Sequence, residues 1–304
     1  MKTLKIIQLI LWLLIIAFLM TAMSFFFLGK VNFSDFIRSS KQIVLLQQTE
    51  NINEITGITL DLSSTDVIIK PSASDDISIT YLGPESQKNN PDIMVTVDQG
   101  ELKIYQKDTR QFFFFNWNFS PKVLEISLPQ SYADEFVLKN SSGDLTVSGV
   151  YELSAFTSRL TSGDCSLEDI ICSDFSLNST SGDVSIGRLE AEDLSISLIS
   201  GRAEISSLAG SGSISCTSGY IDIGLSKAAG DLSVKTISGD VELSFAQEAV
   251  YLIDASCVSG KISSDYPLRY LDGSSNAAGD TGSSAQYKLK VHSISGDISL
   301  SSQQ

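Results

Sequence analysis

The sequence predicts an all-β protein: a parallel β-solenoid, wound as a right-handed β-helix of coils about 19 residues long, behind one N-terminal transmembrane helix. Three observations predict it. Residues 6–28 form an apolar run of 23 residues without a charge. A Ser-Gly-x tripeptide recurs through the second half of the chain at nearly constant spacing. On both sides of each tripeptide, apolar and polar residues alternate with period two, as in a strand with one buried face.

The apolar run comes first. At 1.5 Å per helical residue it crosses a hydrocarbon core of about 30 Å. A secretory signal peptide is the rival reading, but its apolar region usually spans only about 7–15 residues and ends at a small-residue cleavage site. No A-x-A motif precedes Lys30. Lys2 and Lys5 lie before the run, so the positive-inside rule favours a cytoplasmic N-terminus and an exported remainder. The expected organisation begins with a cytoplasmic stub and anchor over 1–29, then a linker or the start of a cap over 30–54.

Residues 55–135 read as degenerate N-terminal repeats or a cap. Ser63-Ser64-Thr65-Asp66-Val67-Ile68-Ile69 and Gln99-Gly100-Glu101-Leu102-Lys103-Ile104 match a turn-plus-strand pattern, and the polar, proline-containing stretch 83–91 reads as a loop. Residues 112–119, Phe-Phe-Phe-Phe-Asn-Trp-Asn-Phe, are the most unusual composition outside the anchor. As a strand they would place Phe113, Phe115, Trp117 and Phe119 on one face. Such a stripe either closes the open end of a repeat array or serves as a contact surface for sugars or a membrane interface. Capping is the commoner use.

Residues 136–304 carry the regular solenoid. The repeat glycines are Gly143, Gly163, Gly182, Gly201, Gly219, Gly239, Gly260 and Gly296, each preceded by serine. The second residue after the glycine is always apolar or cysteine, from Leu145 and Cys165 to Ile262 and Ile298. Upstream, pairs such as Phe136/Leu138, Phe175/Leu177 and Leu289/Val291 alternate with polar residues. Each unit is therefore two alternating strands flanking a corner. Glycine supplies the positive φ there, and the neighbouring Ser and Asp can hydrogen-bond their own backbone. One coil cannot bury its apolar face alone, whereas stacked coils bury a continuous core. The Gly/Ser-rich stretch 265–286 widens the last interval to 36 residues and is expected to leave the solenoid as a mobile loop.

Charge and chemistry narrow the function. The chain carries 21 basic and 36 acidic residues, a net charge of −15, which opposes nucleic-acid binding. Cys165, Cys172, Cys216 and Cys257 show no metal-like spacing. In sequence-order stacking, Cys216 and Cys257 share a coil position two coils apart, beyond bridging distance. The single histidine, His292, has no partner motif for a Ser-His-Asp arrangement. Asp144, Asp164 and Asp183 fall on successive coils and could form a carboxylate ladder. Turn stabilisation is its ordinary use, with cation binding as the alternative. No catalytic, cofactor-binding or metal-binding residue is expected.

With these residues in place, the sequence resembles the putative-adhesin family of β-strand-repeat domains of unknown function, which includes LiaG-like membrane-anchored proteins. The resemblance spans roughly residues 55–300. It rests on Ile58-Thr59-Leu60-Asp61 with Asp66-Val67-Ile68-Ile69, on Leu124-Glu125-Ile126-Ser127-Leu128-Pro129, and on the Ser-Gly-Asp strands ending at Ser295-Gly296-Asp297-Ile298. It implies a β-solenoid at the cell surface and association with the envelope. The expected function is a non-enzymatic, membrane-anchored surface module, adhesin-like or a scaffold, held by residues 6–28 and binding cell-wall polymer or another envelope protein. An accessory role in envelope-stress sensing is the alternative.

Overall fold

The computed structural model describes residues 42–107, 121–271 and 275–303. The apolar run 6–28 and the stripe Phe113, Phe115, Trp117 and Phe119 lie outside the described residues. Among the described residues no helix is long and apolar enough to cross a membrane.

The N-terminal end is built out of sequence order. Strand β1 (Gln42–Asn51) lies in the segment expected to be a linker or the start of a cap. Then come β2 (Gly57–Leu62) and β3 (Asp66–Ser72), which meet at the Ser63–Thr65 corner, and β4 (Asp76–Pro84), which pairs antiparallel with β1. Strands β5 (Ile93–Asp98) and β6 (Glu101–Gln106) form a hairpin. Its turn residues Gln99 and Gly100 have φ of 51° and 86°, as a two-residue hairpin matched to strand twist requires. The Gln99–Gly100 motif is therefore a hairpin turn rather than a solenoid corner, and only β6 is a rung.

Strand β7 (Val123–Pro129) completes the coil begun by β6, and β8 (Glu135–Ser142) begins the next one. β2 pairs in parallel with β6 on one edge and β8 on the other. β3 lies likewise between β7 and the start of β9 (Leu145–Ser162). The coil laid down first is thus sandwiched between the second and the third.

From β9 the winding is regular. β9, β10 (Cys165–Ser181) and β11 (Val184–Ser238) run almost continuously through successive coils, in parallel register Leu145↔Cys165↔Val184. The apolar positions phased on the glycine all turn inward. Leu145, Cys165, Val184, Ala203, Ile221, Val241, Ile262 and Ile298 are buried, as are the upstream pairs. Phe136, Phe156 and Phe175 stack face to face along the axis, with ring centroids 5.6 and 5.3 Å apart, close to the strand spacing of about 4.8 Å.

The C-terminal end repeats the inversion. β12 (Val241–Glu248) is followed by β13 (Tyr251–Ser259) and β14 (Ile262–Ser264). After β15 (Arg269–Tyr270) and β16 (Asn276–Asp280), the chain returns as β17 (Tyr287–Ser295) and β18 (Ile298–Ser302). β17 slots between Leu232–Ser238 of β11 and β13, and β18 between β12 and β14. The last coil in sequence is the penultimate coil in space.

This order corrects two expectations. Cys216 and Cys257 are three coils apart, about 14 Å, because the β17–β18 coil intervenes. The stretch 265–286 leaves the parallel ladder but is not a free loop: β16 pairs antiparallel with β13, and β15 with β16. Antiparallel strands cover the terminal rungs β6 and β7 at one end, through β5, β4 and β1, and the terminal rung β13 at the other, through β16 and β15.

Candidate functional site

The corner is a regularly repeated feature of the surface. A Cβ added at Gly182 would lie 2.1 Å from the carbonyl oxygen of Gly163, so only glycine permits the coils to stack there. Each corner glycine stands in the same relation to the one below, in the order Gly143, Gly163, Gly182, Gly201, Gly219, Gly239, Gly296, Gly260. The aspartates beside them do not hydrogen-bond their own turn as expected. Their Oδ1 atoms accept the backbone N–H of the residue one coil on: Asp144 from Asp164 at 2.9 Å, Asp164 from Asp183 at 2.8 Å, and Asp183 from Arg202 at 2.8 Å. The carboxylate ladder is thus a staple between coils. Among the described residues no three His, Cys, Asp or Glu side chains converge as a metal site would require.

The sheet face that leads into this corner carries a groove of about 500 Å³. Its central row is Asp61 and then, four residues before successive corner glycines, Lys139, Arg159, Asn178 and Ser197, each in register with the next across the parallel ladder. A second row, Ser141, Thr161, Thr180 and Ile199, lies two residues before each glycine and also lines the groove. Beneath them Asn140 is buried, and its Nδ2 donates to the carbonyl of Thr65 at 2.8 Å, which ties the groove floor to the corner of the neighbouring coil. Lys139 and Arg159 are exposed, and neither joins an ion pair among the described residues. Sequence reasoning missed this pair. Aligning the repeats on their glycines puts both at the same position, a signal hidden because outward positions vary freely.

Corner, rungs and end coils together match one known pattern: the family model described as Toastrack DUF4097 covers residues 55–301. The chain belongs to that family. Among solved structures, the Toastrack chain resembles a putative adhesin from Parabacteroides distasonis, with 14% identity and a TM-score of 0.53 over 86% of this chain and 97% of that one. A putative adhesin from Bacteroides fragilis aligns with 13% identity and a TM-score of 0.49 over 87% and 98% of the two chains. At such identities the likeness concerns the fold alone. No curated protein matches the chain.

Other features of the Toastrack domain are mostly spent on structure. A second groove of about 890 Å³ is edged by Glu152, Glu190, Glu192 and Glu248, with Lys227 among them. All four cysteines are buried, and burial pushes the thiols of Cys165 and Cys172 up to about 12, far from a reactive thiolate. His292 does gain a neighbour the sequence did not suggest, since its Nδ1 lies 2.9 Å from Ser256 Oγ on the adjacent coil. Among the described residues no carboxylate orients the other ring nitrogen, so the pair lacks the third group that activates a serine. At the N-terminal end, Lys107 and Pro121 are the described residues that flank the aromatic stretch in sequence, and Gln42 Nε2 donates to the Pro121 carbonyl at 2.9 Å.

Proposed function

We propose that this Toastrack protein is a non-enzymatic surface module, anchored by residues 6–28 with its N-terminus in the cytoplasm and its solenoid outside, that binds envelope polymer or another envelope protein. The observation that carries the reading is the sheet face before the glycine corner. Its central row is polar from Lys139 to Ser197, its rungs repeat about every 4.8 Å, and its residues are placed by stacked backbones rather than by loops. Such a surface suits a long repetitive ligand better than a small substrate, which needs an enclosing pocket. The uncharged run behind Lys2 and Lys5 supports the anchored placement. The word adhesin in the description of the Parabacteroides distasonis structure points the same way.

Crosslinking in intact cells, followed by identification of what is captured, tests the binding role. Cell-wall polymer or surface proteins are the expected yield. Exclusive capture of membrane sensor proteins would instead favour the accessory role in stress sensing, and no envelope component at all would overturn both. A reporter fused after Gln304 tests the placement. It should work only if its activity requires export, and a cytoplasmic signal would reject it.

A further inference from the structure

We infer that the groove before the glycine corner is a binding site for an anionic, hydroxyl-rich chain, held by Lys139 and Arg159. This deepens the envelope-binding reading and rests on it.

The first ground is electrostatic. The protein carries a net charge of −15, yet two cations stand side by side on adjacent coils, in register and pointing outward. Six ion pairs form elsewhere among the described residues, including exposed ones such as Lys70–Glu125 and Arg188–Glu190, and neither Lys139 nor Arg159 takes part in one. Asp61 lies in register beside Lys139 without pairing with it. Their charges are thus available to an external anion. Arginine's planar fork matches a carboxylate or phosphate bidentately, while lysine adds a mobile point charge.

The second ground is the row beyond the cations. Asn178 and Ser197 continue the line of Lys139 and Arg159 along the solenoid axis, and Thr161 and Thr180 run parallel to it. These are donors and acceptors for hydroxyls, not for apolar groups. Their rungs repeat about every 4.8 Å, close to the length of one pyranose residue. A sugar or polyol chain lying along the axis would therefore meet one rung of side chains per unit, cationic at Lys139 and Arg159 and uncharged polar at Asn178 and Ser197. The preference is local to this end. The row two residues before the glycine turns aliphatic at Ile199, the far end of the groove, and again at Ile237, Ile294 and Val258, all exposed.

The chemistry shared by uronate-bearing glycans and polyol phosphates is what the groove reads: an oxyanion with hydroxyls alongside. The test uses the full-length protein in detergent and three probes: oligogalacturonate, poly(glycerol phosphate) and neutral dextran. Binding is measured by calorimetry at low and high salt. At least one anionic probe should bind and weaken with salt, and dextran should not. Replacing both cations, Lys139→Gln with Arg159→Gln, should weaken that binding about tenfold. Lys235→Gln, four residues before Gly239 on the same face but outside the groove, should change nothing. Both altered groove residues are exposed, so an unchanged melting temperature verifies folding. The carboxylate and phosphate arms identify the anion. Equal binding of dextran, no binding of either polyanion, or polyanion binding that survives the double substitution overturns the proposal. If the protein still captures envelope material from cells in that case, the broader reading stands without this site; if it captures none, both fall.

Discussion

The carboxylate of Asp297 accepts the backbone N–H of Lys261 at 2.8 Å, although Lys261 comes 36 residues earlier in the chain. The same staple joins Asp240 to the N–H of Asp297, also at 2.8 Å. Read along the corner, the order is Asp240, Asp297, Lys261. The coil that ends the chain is wedged between two coils made before it. From Glu248 the chain must climb two strand spacings, about 10 Å, to start the next coil at Tyr251. The step is made through turns, in which the Ala249 N–H donates to the Ala246 carbonyl at 3.0 Å and the Val250 N–H to the Glu248 carbonyl at 3.1 Å. The layer left open is filled only when β17 and β18 arrive.

Removing residues 287–304 should therefore do more than fray one end. In a solenoid stacked in sequence order, losing the last coil leaves the others paired. Here it strips Tyr251–Ser259 and Ile262–Ser264 of their parallel partners and separates them from the rest by an empty layer. Hydrogen exchange on the truncated protein should show amides of 251–264 exchanging freely while those of 165–200 stay protected. Retained protection at 251–264 would mean that the coil drops one layer and repairs the stack.

Ile262 and Ile298 show why the core could be read from the sequence and the stacking order could not. Both stand two residues after a corner glycine, both are buried, and both look alike in the pattern. Period-two alternation fixes which way a side chain points within its own coil, a local property. Which coil lies above which depends on parallel pairing between distant segments and on how far each connection reaches. The sequence leaves only a faint trace of it, the 36-residue gap between Gly260 and Gly296. The hairpin at Gln99–Gly100 misled for a related reason, since a glycine before an alternating strand looks the same whether the chain turns back or turns a corner. The candidate groove was less legible still. Its residues are outward-facing, so no burial constraint repeats them from coil to coil, and only the register of the ladder brings Lys139 beside Arg159.

The corner itself yields a graded prediction. Gly182→Val should destabilise the protein by more than the roughly 1–3 kcal/mol of a strained φ, because the side chain also meets the Gly163 carbonyl of the coil below. Asp183→Ala should cost about 1 kcal/mol, the worth of an ordinary hydrogen bond, since the Arg202 N–H loses its acceptor. Asp183→Asn keeps an Oδ1 in place and should cost only a few tenths. Denaturant unfolding of the three variants measures the series. If the asparagine variant were worse than the valine variant, the carboxylate charge would have a role that the staple does not explain.

The last prediction concerns the buried carboxylate at the N-terminal end. Asp92 is 3% exposed and accepts from Tyr81 at 2.6 Å, from Gln106 at 2.9 Å and from Lys122 at 2.6 Å. Gln106 in turn accepts the N–H groups of Ser63 and Ser64 at 2.9 and 3.0 Å, so the cluster fastens the outermost coil to the next where no Gly-Asp corner exists. Burial alone would raise the Asp92 pKa, but the hydrogen bonds from Lys122, Tyr81 and Gln106 outweigh it and hold the carboxyl below its ordinary value. A depressed folded pKa stabilises the native state above the unfolded pKa of about 3.9, and that stability is lost as pH falls through the folded value. The melting temperature should therefore drop steeply below about pH 4. In Asp92→Asn the protein should start lower at neutral pH and lose part of that acid dependence. Lys122→Met leaves the buried charge without its cation and should cost up to about 3–5 kcal/mol at neutral pH, less to the extent that water reaches the lysine end. Acid profiles of the wild type and Asp92→Asn that run parallel from pH 2 to 6 would remove Asp92 as the source of the acid sensitivity.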